Sequence, residues 1–450
     1  MSSDVDVIVV GAGLGGLLVA CEVTRRGGRP LVLEARPSPG GVAATVRDGG
    51  YLLEPAAGSF LLPHPQLTPI LEAAKVSLVP AHDTAHRRYV YDRETLFELA
   101  GPAAVVTGLV SPGGKLRMLK EPWVKPPAHI TDDSLRTFFE RRFGPEVGRL
   151  GATLMAHGVF AGDPERLSAR AAFPALVELE DRAGSLVRGG FARARARPKG
   201  APRPNVHVAP DGMAALAAEL GASLGDAFRP NWPVEQVRRD GGQWMVSGEA
   251  GDERAPAVVI ALAPAAAARV VPEPLSALLG QAMAAPVAVV GLGGTSADVP
   301  APAGFGALTG PDSNVHLLGL LFESSYAPGR APLRHRLLKG IFGGAADPEV
   351  LERTDRQLID LAIEETARIL GVMPQPSWTR VIRHTQGIPQ YDVGHLAWLD
   401  RLDAATAELG GLHLAGWGYR GIGLSSLAKH AGQLGETLLA TTDTNHRRLT

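Results

Sequence analysis

The sequence predicts an α/β protein: a parallel sheet carrying a glycine-rich turn, with helical and strand segments between its two ends. Three observations predict it. A short β-branched run, Val5 to Val10, breaks into closely spaced glycines and resumes as a helix. A second strand–glycine–helix unit starts at Leu412, near the other end of the chain. Between the two, the apolar pattern changes from strand to helical periodicity and back.

The chain has 450 residues, enough for two or three domains. Hydrophobic residues make up 45% and charged residues 20%, an ordinary globular balance. A net charge of −1 gives no general attraction to nucleic acid. The single cysteine, Cys21, supports neither a disulfide framework nor an iron–sulfur site, and reads as a small buried helix residue in a reducing compartment. The N-terminus carries acids where a signal peptide would carry bases. The most apolar stretch, Ala255 to Val271, contains Pro256 and Pro264 and reads as strand, turn and short helix rather than a membrane span.

At the N-terminus, Gly11, Gly13 and Gly16 match G-x-G-x-x-G directly after a strand. The first glycine makes the tight turn, the second lets the main chain approach a pyrophosphate, and the third lets the helix pack on the strand. The helix reaches about Arg26, and "RPLVLE" gives a second strand ending at Glu34, whose carboxylate can accept from a ribose. The unit is expected to bind a dinucleotide at the helix N-terminus. Gly40-Gly41 follow, ahead of the hairpin-like "VRDGGYLLE". A second phosphate-approaching loop here suits FAD, a cofactor buried along its length; a simple turn would use the same glycines.

Further along, "DSLRTFFERRFGPEVGRLGATLMAHGVF" reads as helix, with Leu135, Phe138, Phe139 and Phe143 on one face. "VRGGFARARARPKGAPRPN", residues 187–205, reads as a mobile surface loop. The segment from Pro230 to Pro264 holds two or three strands, with a hairpin turn at Gly241-Gly242. Near the end, Leu412 to Ala415 is a strand; glycines 416, 418, 421 and 423 follow, then a helix from about Leu424 to Leu439. The N-terminus of that helix could face the negative end of a reduced flavin. No HExxH, CxxC or carboxylate cluster with metal-ligand spacing is present, and His157 and His395 read as packed or surface histidines.

Six blocks, taken in order, carry a resemblance. They are "HRRYVYDRETLFEL" from His86, "HGVFAGDPERLSARAAFPAL" from His157, "PAGFGALTG" from Pro302, "GIFGGA" from Gly340, "GIPQYDVGHL" from Gly387 and "LHLAGWGYRGIGL" from Leu412. Across nearly its whole length the chain resembles the flavin amine oxidase superfamily and, within it, the protoporphyrinogen oxidases. The resemblance implies an FAD-binding Rossmann-like domain of the glutathione-reductase type, built from residues 1–60, 206–272 and 405–442. It implies a mixed-sheet substrate domain at 61–81 and 273–404, and a helical, membrane-facing lobe at 82–205. Gly11, Gly13, Gly16 and Glu34 would hold pyrophosphate and ribose, with Gly40 and Gly41 beside them. Val234 would meet the adenine through its backbone. Gly416, Ile422, Gly423 and Leu424 would line the flavin. Arg88 would pair with a substrate propionate, and Gly158, Phe305, Leu308, Leu321 and Ile341 would surround a tetrapyrrole.

The implied reaction is oxidation of protoporphyrinogen IX to protoporphyrin IX in haem synthesis. Hydride passes to FAD and dioxygen is the acceptor, so the protein mainly orients and no general base is named. Coproporphyrinogen III is the near alternative. Another oxidase or desaturase of the superfamily, and a non-catalytic flavoprotein scaffold, stand further off. The resemblance further implies a cytoplasmic protein, peripheral on the inner membrane face, and allows a homodimer. "SPGGKLRMLKEPWVKPP" from Ser111 is the stretch that suits a membrane interface, although a solvated connecting helix reads as well. The chain departs from the family pattern around the flavin. Ser38 stands where an arginine is frequent, with Arg36 nearby as the cation for the cofactor. Gly58, Trp417 and Ser425 replace the usual residues at their positions.

Overall fold

Three distant stretches of chain meet in one parallel sheet in the computed structural model. The model describes residues 5–99, 108–127, 129, 132–198, 200 and 202–446, with side chains as far as 440. The strand order is Phe228–Arg229, Pro30–Leu33, Val7–Val10, Ala257–Ile260, Leu412–Leu414. The central strands are apolar at every position because helices or strands cover both faces. Val7 and Val9 pack on one side against Leu17 and Leu18 of the Leu14–Arg25 helix and Ala428 and Ala431 of the Leu424–His446 helix. Ile8 and Val10 pack on the other side against Trp244, Val246, Trp398 and Leu402. Trp244 and Val246 come from the antiparallel meander Gln236–Asp240, Gln243–Gly248, Gly251–Ala255, which turns at Gly241-Gly242 as expected.

A seven-stranded mixed sheet forms the second layer. Its order is Trp378–Pro389, Ala284–Thr295, His335–Gly343, Gly319–Leu321, Gly306–Thr309, Arg88–Asp92, Thr95–Glu98. Residues paired across strands share a face. One face carries Tyr89, Tyr91, Val290, Leu320, Leu338 and Phe342, and packs on Leu358, Ala362 and Ile369 of the Asp355–Leu370 helix. The other face carries Arg88, Leu308, Leu321, Lys339 and Ile341. Among the described residues no long helix of its own covers that face, which looks toward the first layer.

This topology corrects two of the expected boundaries. Residues 88–98 are strands of the mixed sheet and not part of the helical lobe, because the alternation Tyr89, Val90, Tyr91 gives both faces something to bury. Leu275, Leu279, Trp398, Leu399 and Leu402, assigned by sequence to the substrate domain, pack in the same core as Ile8 and Val258.

The lobe proper begins at Ser111, whose side chain caps the Pro112–Met118 helix. The helical pattern around Leu135 is two helices, Leu135–Phe143 and Pro145–Met155, parted at Gly144 (φ +84°) ahead of Pro145. A π-helical turn, Ala156–Phe160, ends the second. The expected loop at 187–205 is largely wrong. Leu186–Ala196 is a helix, capped by Ser185, which accepts from Arg188 N at 3.1 Å. Buried Glu121 fixes this helix start, accepting from Ser185 Oγ (2.6 Å), Leu186 N (2.8 Å) and Val187 N (3.2 Å). Residues 199 and 201 of that stretch lie outside the described residues. Among the described residues no helix is long and apolar enough to cross a membrane.

Candidate active site

The glycine turn is as tight as its spacing requires. Gly11 sits at φ +98°, and its N–H donates to Leu33 O at 2.8 Å. A Cβ at Gly16 would lie 2.0 Å from Gly11 O, so the helix touches the turn main chain to main chain. Gly13 is the N-cap and offers no capping side chain, leaving the first N–H groups of the helix for an outside acceptor. Gly40 bridges to Gly13 and donates to Ala12 O at 2.8 Å, and a Cβ on Gly41 would lie 3.1 Å from Gly13 Cα. The Gly40-Gly41 loop therefore lies against the turn.

Glu34 is buried at the end of its strand. Oε2 accepts from Ala12 N at 2.8 Å and Oε1 from Arg36 N at 3.0 Å. A carboxylate has acceptor capacity beyond two bonds, enough for ribose hydroxyls. The Arg36 guanidinium, 3.6 Å from Glu34, comes within 4.0 Å of a Cβ built on Gly41. Trp232 N donates to Glu34 O and Asn231 N to Arg36 O, which brings the segment leading to half-buried Val234 alongside.

The C-terminal glycines join this cradle. A Cβ at Gly15 would lie 2.9 Å from Gly416 Cα, so the two ends of the chain are in contact. Gly416 (φ +117°) and Gly423 (φ +93°) both border open space: a Cβ at either meets no other atom within 4 Å. Leu424 is buried in the first core, and half-buried Ile422 packs toward the lobe.

Sequence reasoning missed the residue that ties this loop down. Tyr391 donates through its hydroxyl to Trp417 O and accepts from Gly421 N at 2.8 Å. Burial pushes its phenol up, so the donor stays protonated. His395 stacks on it at 4.0 Å and bonds Tyr419 O through Nε2 at 2.9 Å, a packed histidine as expected. The block "GIPQYDVGHL" contained Tyr391, but its partners lie 26 and 30 residues away, so no local spacing marks it.

On the mixed sheet, Arg88 lies across from Gly306, with its guanidinium carbon 5.0 Å from the centre of the Phe305 ring. Among the described residues it has no ion-pair partner. Phe305 stacks on Tyr326 at 4.3 Å. Leu308, Gly319 and Ile341 form one row across three strands, and Gly306, Leu321 and Lys339 form the next. Gly158 belongs to the π-helical turn, where a Cβ would lie 3.0 Å from Leu308 Cδ1. Turns of this kind recur where a helix must present backbone to a site. The structure thus brings Gly158, Leu308 and Ile341 together, and Arg88, Phe305 and Leu321 beside them. His157 Nδ1 faces Thr309 O at 3.3 Å, and burial pushes its pKa down.

Between cradle and sheet lies a buried group of charges that sequence gave no reason to expect. Glu54 Oε1 lies 3.2 Å from Arg330 Nη1 and accepts from Met213 N at 3.0 Å. Burial raises its carboxyl above the usual range, opposed by Arg330. Lys339 Nζ lies 2.6 Å from Glu323 Oε1. Gly58 is glycine for a reason found here: a Cβ on it would lie 2.7 Å from Glu54 Cγ.

Residues 14–421 match the family of flavin containing amine oxidoreductases. The chain belongs to that family. It is 28% identical to the chloroplastic protoporphyrinogen oxidase of Nicotiana tabacum over 474 residues, covering 96% of this chain and 84% of the relative. It is 26% identical to the coproporphyrinogen III oxidase of Bacillus subtilis over 447 residues, covering 93% and 94%. A crystallised protein of Exiguobacterium sp. 255-15 shares the fold at TM-score 0.79 and 22% identity, over 97% of this chain and 99% of that one. Reduced UDP-galactopyranose mutase does so at TM-score 0.74 and 14% identity, over 97% and 94%. This member of the flavin amine oxidoreductases is an FAD-dependent oxidoreductase. The uncapped helix, the facing glycine loops and the open space at Gly416 and Gly423 fit an extended dinucleotide flavin.

Proposed function

We propose that the protein oxidises protoporphyrinogen IX to protoporphyrin IX with dioxygen as acceptor. The observation that carries this reading is Arg88, held on Phe305 with no carboxylate partner among the described residues, at one end of an apolar sheet face. A tetrapyrrole with two propionates presents the complementary chemistry: a broad apolar ring and few anions. The relatives named for protoporphyrinogen and coproporphyrinogen oxidation support the substrate class. Coproporphyrinogen III carries four carboxylates, and Lys339, the second cation near this face, is already paired with Glu323.

When bound, FAD would supply the two-electron acceptor for a methylene bridge of the substrate and the link to dioxygen. The chain's own part is orientation. Gly11, Gly13, Gly16, Glu34, Arg36, Gly40, Gly41 and Val234 would hold the dinucleotide. Gly416, Ile422, Gly423 and Leu424 would line its ring. Arg88 binds a propionate; Leu308, Leu321 and Ile341 exclude water from the ring; Gly158 makes room for it. His157 Nδ1 is turned to Thr309 O, and no catalytic role is assigned to it.

Arg88→Ala is expected to raise KM for protoporphyrinogen about a hundredfold, the order of one lost charge-assisted pair, with kcat and the FAD spectrum preserved. Porphyrin fluorescence measured with both porphyrinogens checks this. Unchanged KM removes the proposed pose; faster turnover of coproporphyrinogen by the natural protein moves the reading to that substrate.

We also propose that the lobe docks on the inner face of the cell membrane. Leu116, Leu119, Trp123 and Phe191 are 61%, 66%, 77% and 67% exposed, and Lys120 and Lys125 stand among them. Glu121 ties the Trp123 turn to the start of the Phe191 helix, so these side chains share one region. Large apolar side chains rimmed by lysines fit an anionic lipid surface. Leu119→Glu with Trp123→Glu is expected to release the protein from sedimenting anionic vesicles while FAD stays bound. Undiminished co-sedimentation contradicts the assignment.

A further inference from the structure

Lys339 lies on the inner face of the mixed sheet, directly across from Leu321 and two residues from Ile341, yet it is only 2% exposed. Besides its contact with Glu323, Nζ donates to Glu54 O and to Ala56 O, at 3.2 Å each. Two of the ammonium's three donors are thus on main-chain carbonyls, and its charge is balanced by the Glu323 carboxylate. Glu323 also accepts from Tyr326 Oη at 3.1 Å, and Tyr326 is the ring stacked under Phe305 and hence under Arg88.

The far side of the same turn leads to the cofactor cradle. The Glu54 carboxylate bonds Met213 N at the start of the Met213–Ser223 helix. Ala217 of that helix packs on Gly40, where a Cβ would come within 3.3 Å of it. His384 Nε2 lies 3.1 Å from Pro55 O. The backbone from Glu54 to Ala56 is therefore strung between the sheet and the cradle. A buried ion pair adds little net stability, because a well-packed apolar pair of equal volume often does as well. An apolar pair cannot hold two main-chain carbonyls.

We propose that Lys339, charge-balanced by Glu323, is a positioning residue that fixes the Glu54–Gly58 turn against the sheet. It thereby sets the gap between the Arg88 end of the sheet face and the cofactor cradle. The proposal rests on the reading of the site given above.

The test compares variants of the full, FAD-loaded chain. Lys339→Met with Glu323→Gln removes both charges, so no uncompensated ion is left buried and the melting temperature is expected to stay near that of the natural protein. The carbonyls are then unheld. kcat for the porphyrinogen is expected to fall about tenfold with KM within about twofold, as for a small misplacement of reacting groups. The FAD dissociation constant, read by flavin fluorescence, is expected to rise by a similar factor. Lys339→Gln with Glu323→Gln keeps an amide donor for the carbonyls and is expected to recover most of both losses. A Met/Gln variant with natural kcat and FAD affinity overturns the proposal, as does a Gln/Gln variant that loses as much as the Met/Gln variant. If the natural protein oxidises no porphyrinogen, the functional reading fails, yet the FAD affinities of the two variants still decide the role of Lys339.

Discussion

Gly16→Ala is expected to yield a protein without flavin and with a much lower melting temperature. The added Cβ would stand 2.0 Å from Gly11 O and 3.0 Å from the Ala261 Cβ. Neither neighbour is a flexible side chain. The Leu14–Arg25 helix would have to lift off the Val7–Val10 strand, and the two are packed through Val9, Leu17 and Leu18 in the first core. Overpacking in a core costs about 1–3 kcal/mol where side chains can shift. Here main chain meets side chain and only a rigid-body movement relieves the contact, so a loss of about 3 kcal/mol or more follows. The same movement displaces the uncapped helix N-terminus from the place where a pyrophosphate would sit. Absorbance of the purified protein near the flavin bands and a thermal melt check both parts. A yellow, fully stable Gly16→Ala protein would show that the helix does not need this approach.

Arg142→Met is expected to destabilise the helical lobe by about 3–5 kcal/mol, the range for breaking a buried ionic group by removing one partner. Arg142 is 0% exposed. Its Nε is 2.5 Å from Glu180 and its Nη1 3.4 Å from Glu121, while Nη1 and Nη2 donate to Val124 O and Gly184 O at 2.8 Å each. Removal leaves Glu121 without its buried cation while that carboxylate still caps the Leu186–Ala196 helix. The turn bearing Trp123 and the helix bearing Phe191 lose their common anchor, so vesicle binding falls with lobe stability. FAD is expected to remain bound, because the glycine turn and the last helix pack in a different core; of the cradle, Tyr391 and Ile422 border the lobe core. Denaturant unfolding and hydrogen exchange within residues 111–196 measure the loss. A change under about 1 kcal/mol would mean that the two carboxylates find other partners.

How much was legible depends on the range of the interaction that fixes each feature. The glycine turn was legible because its geometry is local: Gly11, Gly13 and Gly16 act within one turn and one helix start. The final helix and the Gly241-Gly242 hairpin were legible for the same reason. The Leu186–Ala196 helix was not. Its arginine- and glycine-rich composition argues for a loop, and the carboxylate that fixes its first turn comes from 64 residues upstream. The boundary drawn at residue 82 failed because the Arg88–Asp92 strand takes its parallel partner, Gly306–Thr309, from far along the chain. The departure at Gly58 looked like a change beside the flavin. It is explained by the packing of Glu54, itself held by Arg330, 276 residues on.

By itself, then, the sequence determined the fold class and the kind of cofactor. Each is written in short-range spacing or in ordered blocks along the chain. Only the tertiary structure decided that Tyr391 ties down the C-terminal glycine loop, that Glu54, Glu323, Arg330 and Lys339 share one buried place, and that Arg88 lies over Phe305 with no ion-pair partner among the described residues. A charge's role depends on which partner reaches it once water is excluded, and that follows from the packing of distant segments, not from their order along the chain.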